Sequence, residues 1–299
     1  MNIKNFELVT MIVVPGPSSV DLGKRVAGLI SAETVDLDYK NFPDGESYLR
    51  LSRSVEGEDV VLIHTTYPQQ DKRLIELLLI TDALKDLGAE RVRVVVPYMA
   101  YARQDTRFRD GEAVSIRTLL RLVEASGADE FYTVDIHKEA TLGAFKIKAK
   151  NLYGTEVIGE HLGMMGLKDP YILSPDKGAI MIAKRVAERL GAEYGNFEKT
   201  RDRITGAITV RGEAVDVRGK DAVIVDDLIS TGGTIANAAR LLKEWGAKRV
   251  LAACTHPLLV AGASERMREA GVDEVLGTDT VSSPISRISV APLIAKELR

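Results

Sequence analysis

VIVDDLISTGGT, running from Val223 to Thr234, joins an apolar run to two adjacent aspartates and a Ser-Thr-Gly-Gly-Thr turn. Ala222 to Val225 are short, apolar and mostly β-branched, as in a parallel strand buried on both faces. Past the turn, Ile235, Ala238, Ala239 and Leu242 recur at helical spacing, and Gly246 stands where a helix would stop. Arg249 to Thr255 reads as the next strand. The sum is a βαβ unit whose loop lies at the carboxyl end of its first strand, where open α/β sheets bind their ligands. Backbone N–H groups of such a loop, helped by the helix dipole, can hold a phosphate. Gly232 and Gly233 let the backbone approach a ligand closely. Asp226 and Asp227, expected at the strand's end, would accept hydrogen bonds from hydroxyls or help hold a divalent cation. Phosphate donors beside hydroxyl acceptors suit a sugar phosphate. Read alone, Ser-Thr-Gly-Gly-Thr is equally an ordinary polar turn; the paired carboxylates favour a site, because unpaired buried carboxylates are costly.

The same rhythm fills the rest of the chain. In the first half come Val60–Ile63, a helical stripe of Leu74, Leu77, Leu78 and Leu84, then Gly88 and the strand Val92–Val96. The junction Leu87-Gly88-Ala89-Glu90-Arg91-Val92 parallels Trp245-Gly246-Ala247-Lys248-Arg249-Val250, and Gly127-Ala128-Asp129-Glu130 is echoed by Gly271-Val272-Asp273-Glu274. Strands alternating with helices predict an α/β fold of two similar domains, each a mainly parallel sheet flanked by helices. The expected division is 1–150 and 151–287, with residues 288–299 packing back on the first domain. The first half's counterpart of the phosphate loop, His64-Thr65-Thr66-Tyr67-Pro68-Gln69-Gln70-Asp71, has no aspartate pair and no glycine. One sugar-phosphate pocket per chain is therefore expected.

Composition narrows the class. With 299 residues, 45% of them hydrophobic and 28% charged, the chain suits a soluble globular protein. No apolar run approaches the roughly 18 residues of a membrane helix, and no signal pattern opens the sequence. A lone Cys254 offers no disulfide framework and suits the cytoplasm. A net charge of -3 argues against general nucleic-acid binding. No GxxxxGK[ST] and no GxGxxG occurs, so a nucleotide must be held by other means.

Two segments could hold one. In Asn41-Phe42-Pro43-Asp44-Gly45-Glu46 an aromatic face can stack on a base, while Asp44 and Glu46 can accept from an exocyclic amine. Read alone, Pro-Asp-Gly is a good surface turn. Tyr98-Met99-Ala100-Tyr101-Ala102-Arg103-Gln104-Asp105 follows a strand directly; Arg103 can fork onto a phosphate and Gln104 can reach a ribose or base.

NFPDGES, PYMAYARQD, VDIH, SPDKG, FEKTR and VDDLISTGGT, in that order, resemble the ribose-phosphate diphosphokinases, which make phosphoribosyl diphosphate (PRPP) from ATP and ribose 5-phosphate. The resemblance implies two type I phosphoribosyltransferase-like domains, Mg²⁺ as cofactor and a homo-oligomer. It implies that Phe42, Asp44, Gly45, Glu46, Arg103 and Gln104 bind ATP. Asp226, Asp227, Ser230, Thr231, Gly232, Gly233 and Thr234, with Arg201, would bind ribose 5-phosphate. His137 and Asp176 would serve a Mg²⁺ site; on their own residues they read as a packing histidine and a helix cap. Lys199 and Arg201 match a flexible loop that closes over the site and carries its essential cations. Ser230 stands where many diphosphokinases have aspartate, which makes the loop look more like a transferase's. A PRPP-consuming phosphoribosyltransferase and a non-catalytic regulatory subunit are the competing readings.

Overall fold

The apolar run before the aspartate pair is a strand buried residue by residue from Asp221 to Val225. It runs further than its composition predicts, to Ile229, so Asp226 and Asp227 lie within the strand's last half and not at its end. The neighbouring strand is longer too, pairing Asp226 with Cys254, Leu228 with His256 and Ile229 with Pro257. Ladder hydrogen bonds carry the chain past the point where the apolar pattern stops.

A computed structural model describes residues 11–201, 208–211 and 215–299, with 198–201 and 208–211 by their backbone alone. The chain divides into two units: the part up to Leu152 together with Ile294–Arg299, and Tyr153–Leu293. In the first unit the elements are β1 (Met11–Pro15), α1 (Val20–Ile30), β2 (Glu33–Thr34), β3 (Leu37–Asn41), β4 (Ser47–Leu51), β5 (Asp59–Ile63), α2 (Gln70–Asp86), β6 (Arg91–Val96), α3 (Ser115–Ala125), β7 (Glu130–Val134) and β8 (Lys148–Leu152). In the second they are α4 (Thr155–Met164), β9 (Tyr171–Ser174), α5 (Ile180–Leu190), β10 (Glu193–Asn196), β11 (Glu198–Arg201), β12 (Ile208–Arg211), β13 (Asp221–Ile229), α6 (Gly233–Glu244), β14 (Arg249–Pro257), α7 (Ala263–Glu269), β15 (Glu274–Thr278) and β16 (Ser286–Ile288). Helix α8 (Ala291–Leu298) follows.

Each unit holds a six-stranded parallel sheet, ordered β2-β1-β5-β6-β7-β8 in the first and β10-β9-β13-β14-β15-β16 in the second. Alternate strand residues Ile12, Val14, Val60, Leu62, Val92 and Val94 share a core with Leu77 and Ile80 of α2 and Leu120 of α3. The intervening Val13, Val61, Ile63 and Val95 are buried as well, so both faces of the sheet are covered. In the second unit Ala222, Ile224, Val250 and Ala252 pack on Ile235, Ala238, Ala239 and Leu242 of α6 in the same manner. One antiparallel hairpin interrupts each sheet at the same topological point, β3–β4 between β2 and β5, and β11–β12 between β10 and β13.

The sequence echoes between the halves become the same hydrogen bonds. Gly88 and Gly246 end α2 and α6 with φ of 86° and 88°, a left-handed conformation that glycine adopts without penalty. Their carbonyls accept from Gly57 and Gly219, each at 2.9 Å. Asp129 accepts from the Val92 N–H at 2.7 Å and from Lys85 at 2.8 Å; Asp273 accepts from the Val250 N–H at 2.7 Å and from Lys243 at 2.7 Å. Each aspartate ties the end of one helix to the start of the next strand, and in the second unit Lys243 holds the Asp273 carboxyl below its usual range against the opposing effect of burial.

The C-terminus is held on the first unit by three contacts. Arg93 donates to the Leu298 carbonyl at 3.1 Å, Lys150 pairs with Glu297 at 2.6 Å, and Arg299 donates to the Leu29 carbonyl at 2.7 Å. Among the described residues no helix is long and apolar enough to cross a membrane.

Asp129→Ala and Asp273→Ala should each lower the stability of their own unit by about 1–2 kcal/mol, the cost of an orphaned strand N–H and a lost charged partner, discounted for partial exposure. Calorimetry reads this as a lower melting temperature of one transition. Unchanged transitions in both variants would remove the clamp's role.

Candidate active site

In the second unit β9 and β13 run side by side in parallel, and a set of carboxylates gathers at their carboxyl ends. Asp176 follows β9 and caps a short 3-10 turn, accepting from the N–H groups of Gly178 at 2.8 Å and Ala179 at 3.3 Å. Asp226 lies close enough for Asp176 and Asp227 both to act on it. Burial pushes its carboxyl well above the usual range, and the charge of Asp227 and a hydrogen bond to Asp227 push it the same way. Its oxygen also accepts from the Asp227 N–H at 2.9 Å. Its residual access to solvent is modest, so little water offsets these effects. The same negative field and complete burial raise the Cys254 thiol, which is inert.

The turn that follows is built to keep its N–H groups available. Gly232 is buried in a left-handed conformation, φ 71°, and stands at the N-cap of α6, where no side chain caps the helix. A Cβ there would come within 3.1 Å of the Ala263 carbonyl oxygen and of the Met267 side chain. Val260 N–H donates to the Ser230 carbonyl at 3.0 Å, and Leu258 N–H to that of Ile229 at 3.0 Å. Arg266 donates to the Thr231 carbonyl and, at 3.2 Å, to that of Ala261. Loop carbonyls are thus occupied from behind, while Ser230, Thr231, Gly233 and Thr234 keep some or all of their surface open. An uncapped helix start leaves backbone N–H groups able to receive an anion.

Lys199 and Arg201 belong to β11, whose backbone pairs Lys199 with Val210 and Arg201 with Ile208 of β12. The expected loop is therefore, over these residues, one arm of a hairpin. Their side chains lie outside the described residues. The hairpin is anchored by Phe197, buried and stacked on Trp245 with centroids 5.6 Å apart and planes at 21°.

In the first unit the candidate nucleotide residues occupy two projecting segments. Phe42, 41% exposed, Asp44, Gly45 and Glu46 form the tip of the β3–β4 hairpin. Gly45 is left-handed at φ 99°, Phe42 N–H donates to the Glu46 carbonyl at 2.8 Å, and Asp44 accepts from the Glu46 N–H at 3.2 Å. Arg103 and Gln104 are exposed just beyond β6, and the Gln104 side chain accepts from Ser115. Asp105 pairs with Lys138 at 2.8 Å, which holds its carboxyl below the usual range and joins this loop to the turn carrying His137. His137 is exposed, two residues past Asp135, whose φ is 39°.

His137 thus belongs to the first unit and Asp176 to the second. Among the described residues no three His, Cys, Asp or Glu side chains gather as a ready-made cation site. Mg²⁺ prefers oxygen ligands and keeps several of its waters, so it needs no ready-made cluster of side chains.

Several residues that organise the site carry no sequence signal of their own. The loop His64–Asp71, lacking a phosphate cradle, instead templates its neighbour. The Thr66 hydroxyl donates to the Tyr98 carbonyl at 2.7 Å and accepts from the Ala100 N–H at 2.6 Å, while the Thr65 hydroxyl accepts from the Tyr98 N–H at 3.0 Å. His64 is wholly buried between Ser18 and the Arg73 carbonyl, and burial pulls it down to about 4, so it is neutral. Glu76 is a charged residue on the buried face of α2. Its place beside Leu77 and Ile80 in the apolar stripe was the one clue available.

Comparison with known proteins fixes the kinship. The family model for the N-terminal domain of ribose phosphate pyrophosphokinase matches residues 11–127, and the phosphoribosyl transferase domain model matches residues 152–286. The chain is 42% identical over 292 residues to ribose-phosphate pyrophosphokinase of Saccharolobus solfataricus, covering 96% of this chain and 100% of that protein. It is 43% identical over 288 residues to the protein of the same name from Methanothermobacter thermautotrophicus, with the same coverage. This chain belongs to the ribose-phosphate pyrophosphokinase family. The crystal structure of phosphoribosylpyrophosphate synthetase from Mycobacterium smegmatis superposes with a TM-score of 0.87 at 32% identity, covering 97% of this chain and 98% of that one. The two-domain α/β architecture is that of the family.

Asp226→Asn should raise the melting temperature of the protein at pH 7–8. A carboxyl whose folded-state pKa is raised confers stability that is complete below the unfolded value and is lost as pH rises through the folded one. The gain over wild type should accordingly grow with pH and vanish near pH 4. A variant less stable than wild type at pH 8 would contradict the repulsion assigned to this pair.

Proposed function

We propose that this pyrophosphokinase-family chain transfers the diphosphoryl group of ATP to the 1-hydroxyl of ribose 5-phosphate, giving PRPP and AMP. One observation supports the reading: an aspartate pair and a Gly-Gly turn precede α6, whereas α2, whose start at Gln69 is likewise left-handed and uncapped, follows a loop with no aspartate pair and no glycine. The two units are unequal in the way a two-substrate enzyme requires.

In this reading the N–H groups and hydroxyls of Ser230 to Thr234 hold the 5-phosphate, and Asp226 and Asp227 accept from the ribose hydroxyls. Phe42 stacks on adenine, with Asp44 and Glu46 accepting from its amino group and Gly45 permitting the turn. Arg103 pairs with a phosphate and Gln104 with the nucleoside. The ribose 1-oxygen attacks the β-phosphorus in line; the bond from that phosphorus to the α–β bridging oxygen breaks, and AMP departs with the electron pair. The hydroxyl proton passes to solvent. Charge spreads over the transferred oxygens, so Lys199 and Arg201, brought in by the β11–β12 hairpin, act most strongly at that moment. Mg²⁺, served by His137 and Asp176, would neutralise phosphate charge.

Pure protein given ATP, Mg²⁺ and ribose 5-phosphate should release AMP and PRPP in equal amounts. Turnover of PRPP with a free base and no need for ATP would point to a transferase, the reading that Ser230 favours. Lys199→Ala should lower kcat by about 10³-fold while leaving the ribose 5-phosphate KM within about twofold, because its contact is made in the transition state. Near-normal turnover would remove that role. Gly232→Ala should instead raise the ribose 5-phosphate KM by about tenfold or more, since the added methyl meets a backbone carbonyl in an αL turn.

A further inference from the structure

The Glu76 carboxylate is 0% exposed, in the middle of a helix face otherwise given to Leu74, Leu77 and Ile80. One of its oxygens accepts from the Tyr39 hydroxyl at 2.9 Å and from the Ser47 hydroxyl at 3.0 Å. The other accepts from Arg73 at 2.7 Å. The His64 ring nitrogen is 3.8 Å away. Tyr39 lies on β3 and Ser47 opens β4, so a single oxygen grips both strands at the base of the turn that carries Phe42, Asp44 and Glu46. Five residues earlier on the same helix, Asp71 accepts from the Tyr101 hydroxyl, two residues before Arg103. Helix α2 is therefore bonded to both candidate nucleotide segments.

A buried ion pair is weak support for stability, because apolar residues of similar volume commonly serve a core as well or better. The direction of the bonds at Glu76 gives a different reason for it. We propose that Glu76 is a positioning residue, which fixes the β3–β4 hairpin through Tyr39 and Ser47 and so sets the affinity and base selectivity for the nucleotide. The inference rests on the diphosphokinase reading above.

The test compares wild type with Glu76→Gln, Ser47→Ala and Tyr39→Phe in PRPP synthesis, with melting temperatures measured alongside. Glu76→Gln should raise the KM for ATP by about tenfold and narrow the preference for ATP over GTP, leaving the ribose 5-phosphate KM and the saturated kcat within about twofold. Ser47→Ala and Tyr39→Phe should move the ATP KM in the same direction by about threefold. A purely structural role would lower the melting temperature and leave the split between the two KM values unchanged, and that result overturns the proposal. If Glu76→Gln does not fold, the two hydroxyl variants, which leave the pair with Arg73 intact, decide: unchanged ATP KM in both overturns it. Calorimetric titration with a non-hydrolysable ATP analogue separates the two levels. Wild type that binds the analogue, makes no PRPP, and loses affinity on Glu76→Gln would refute the diphosphokinase reading and keep the positioning role.

Discussion

A parallel strand covered on both faces has nowhere to present a functional group except at and beyond its carboxyl end. Several of the candidate residues obey that constraint, while Asp226 and Asp227 lie within β13 and Phe42, Asp44, Glu46, Lys199 and Arg201 stand in the hairpins. Asp176 follows β9, the phosphate turn follows β13, Arg103 and Gln104 follow β6, and His137 follows β7. Inside the sheets the strands are apolar because helices lie above and below them. The first residues of β5 and β13 both pair with the first residues of their neighbours, Asp59 with Arg91 and Asp221 with Arg249. Counting along, His64 and Asp226 occupy equivalent places. One fold position holds a neutral, enclosed imidazole that knits a loop together, and in the other unit a carboxyl strained by its neighbours.

Duplicated scaffolding explains how the same frame carries two tasks. The aspartate clamps at Asp129 and Asp273, the αL glycines at 88 and 246, and the paired carbonyl bonds to Gly57 and Gly219 are repeated almost atom for atom. These fix helix ends against strand starts, at the edge of each sheet away from the chemistry. The divergence lies at the other edge and in the hairpins. Both hairpins are inserted at one topological position; one presents an aromatic and two carboxylates, the other a lysine and an arginine in its strand. Conserving one edge while varying the other is what a layered α/β frame permits.

Much of this was legible from sequence. The strands around Val60, Val92, Ala222 and Val250 and the helices after Gln70 and Gly233 declare themselves by apolar spacing, because burial on known faces dictates that spacing. The order of six motifs gave the family. The ends of β13 and β14 were missed, since pairing with a neighbour, unlike packing, leaves no hydrophobic pattern. The β11–β12 hairpin was missed for the same reason: a charged two-stranded ribbon makes its bonds through the backbone. Thr65, Thr66 and Arg266 act on carbonyls and N–H groups brought close only by folding. Glu76 alone left a trace, a carboxylate interrupting a leucine stripe.

The carboxyl group at Asp226 shows what the site costs its fold. Burial and the nearby charges of Asp227 and Asp176 all disfavour ionisation of this carboxyl. Under the proposed function, hydroxyl donors binding here would be linked to the ionisation of this carboxyl. Across the ladder, Asp226 is paired with Cys254 of β14, whose thiol is buried. In the proposed reaction the ribose hydroxyls would donate to these carboxylates, and a cation would offset their charge. A carboxylate set that repels itself when empty is thereby selective for what neutralises it, and the rigid clamps at the far edge of the sheet are what allow the strain to persist.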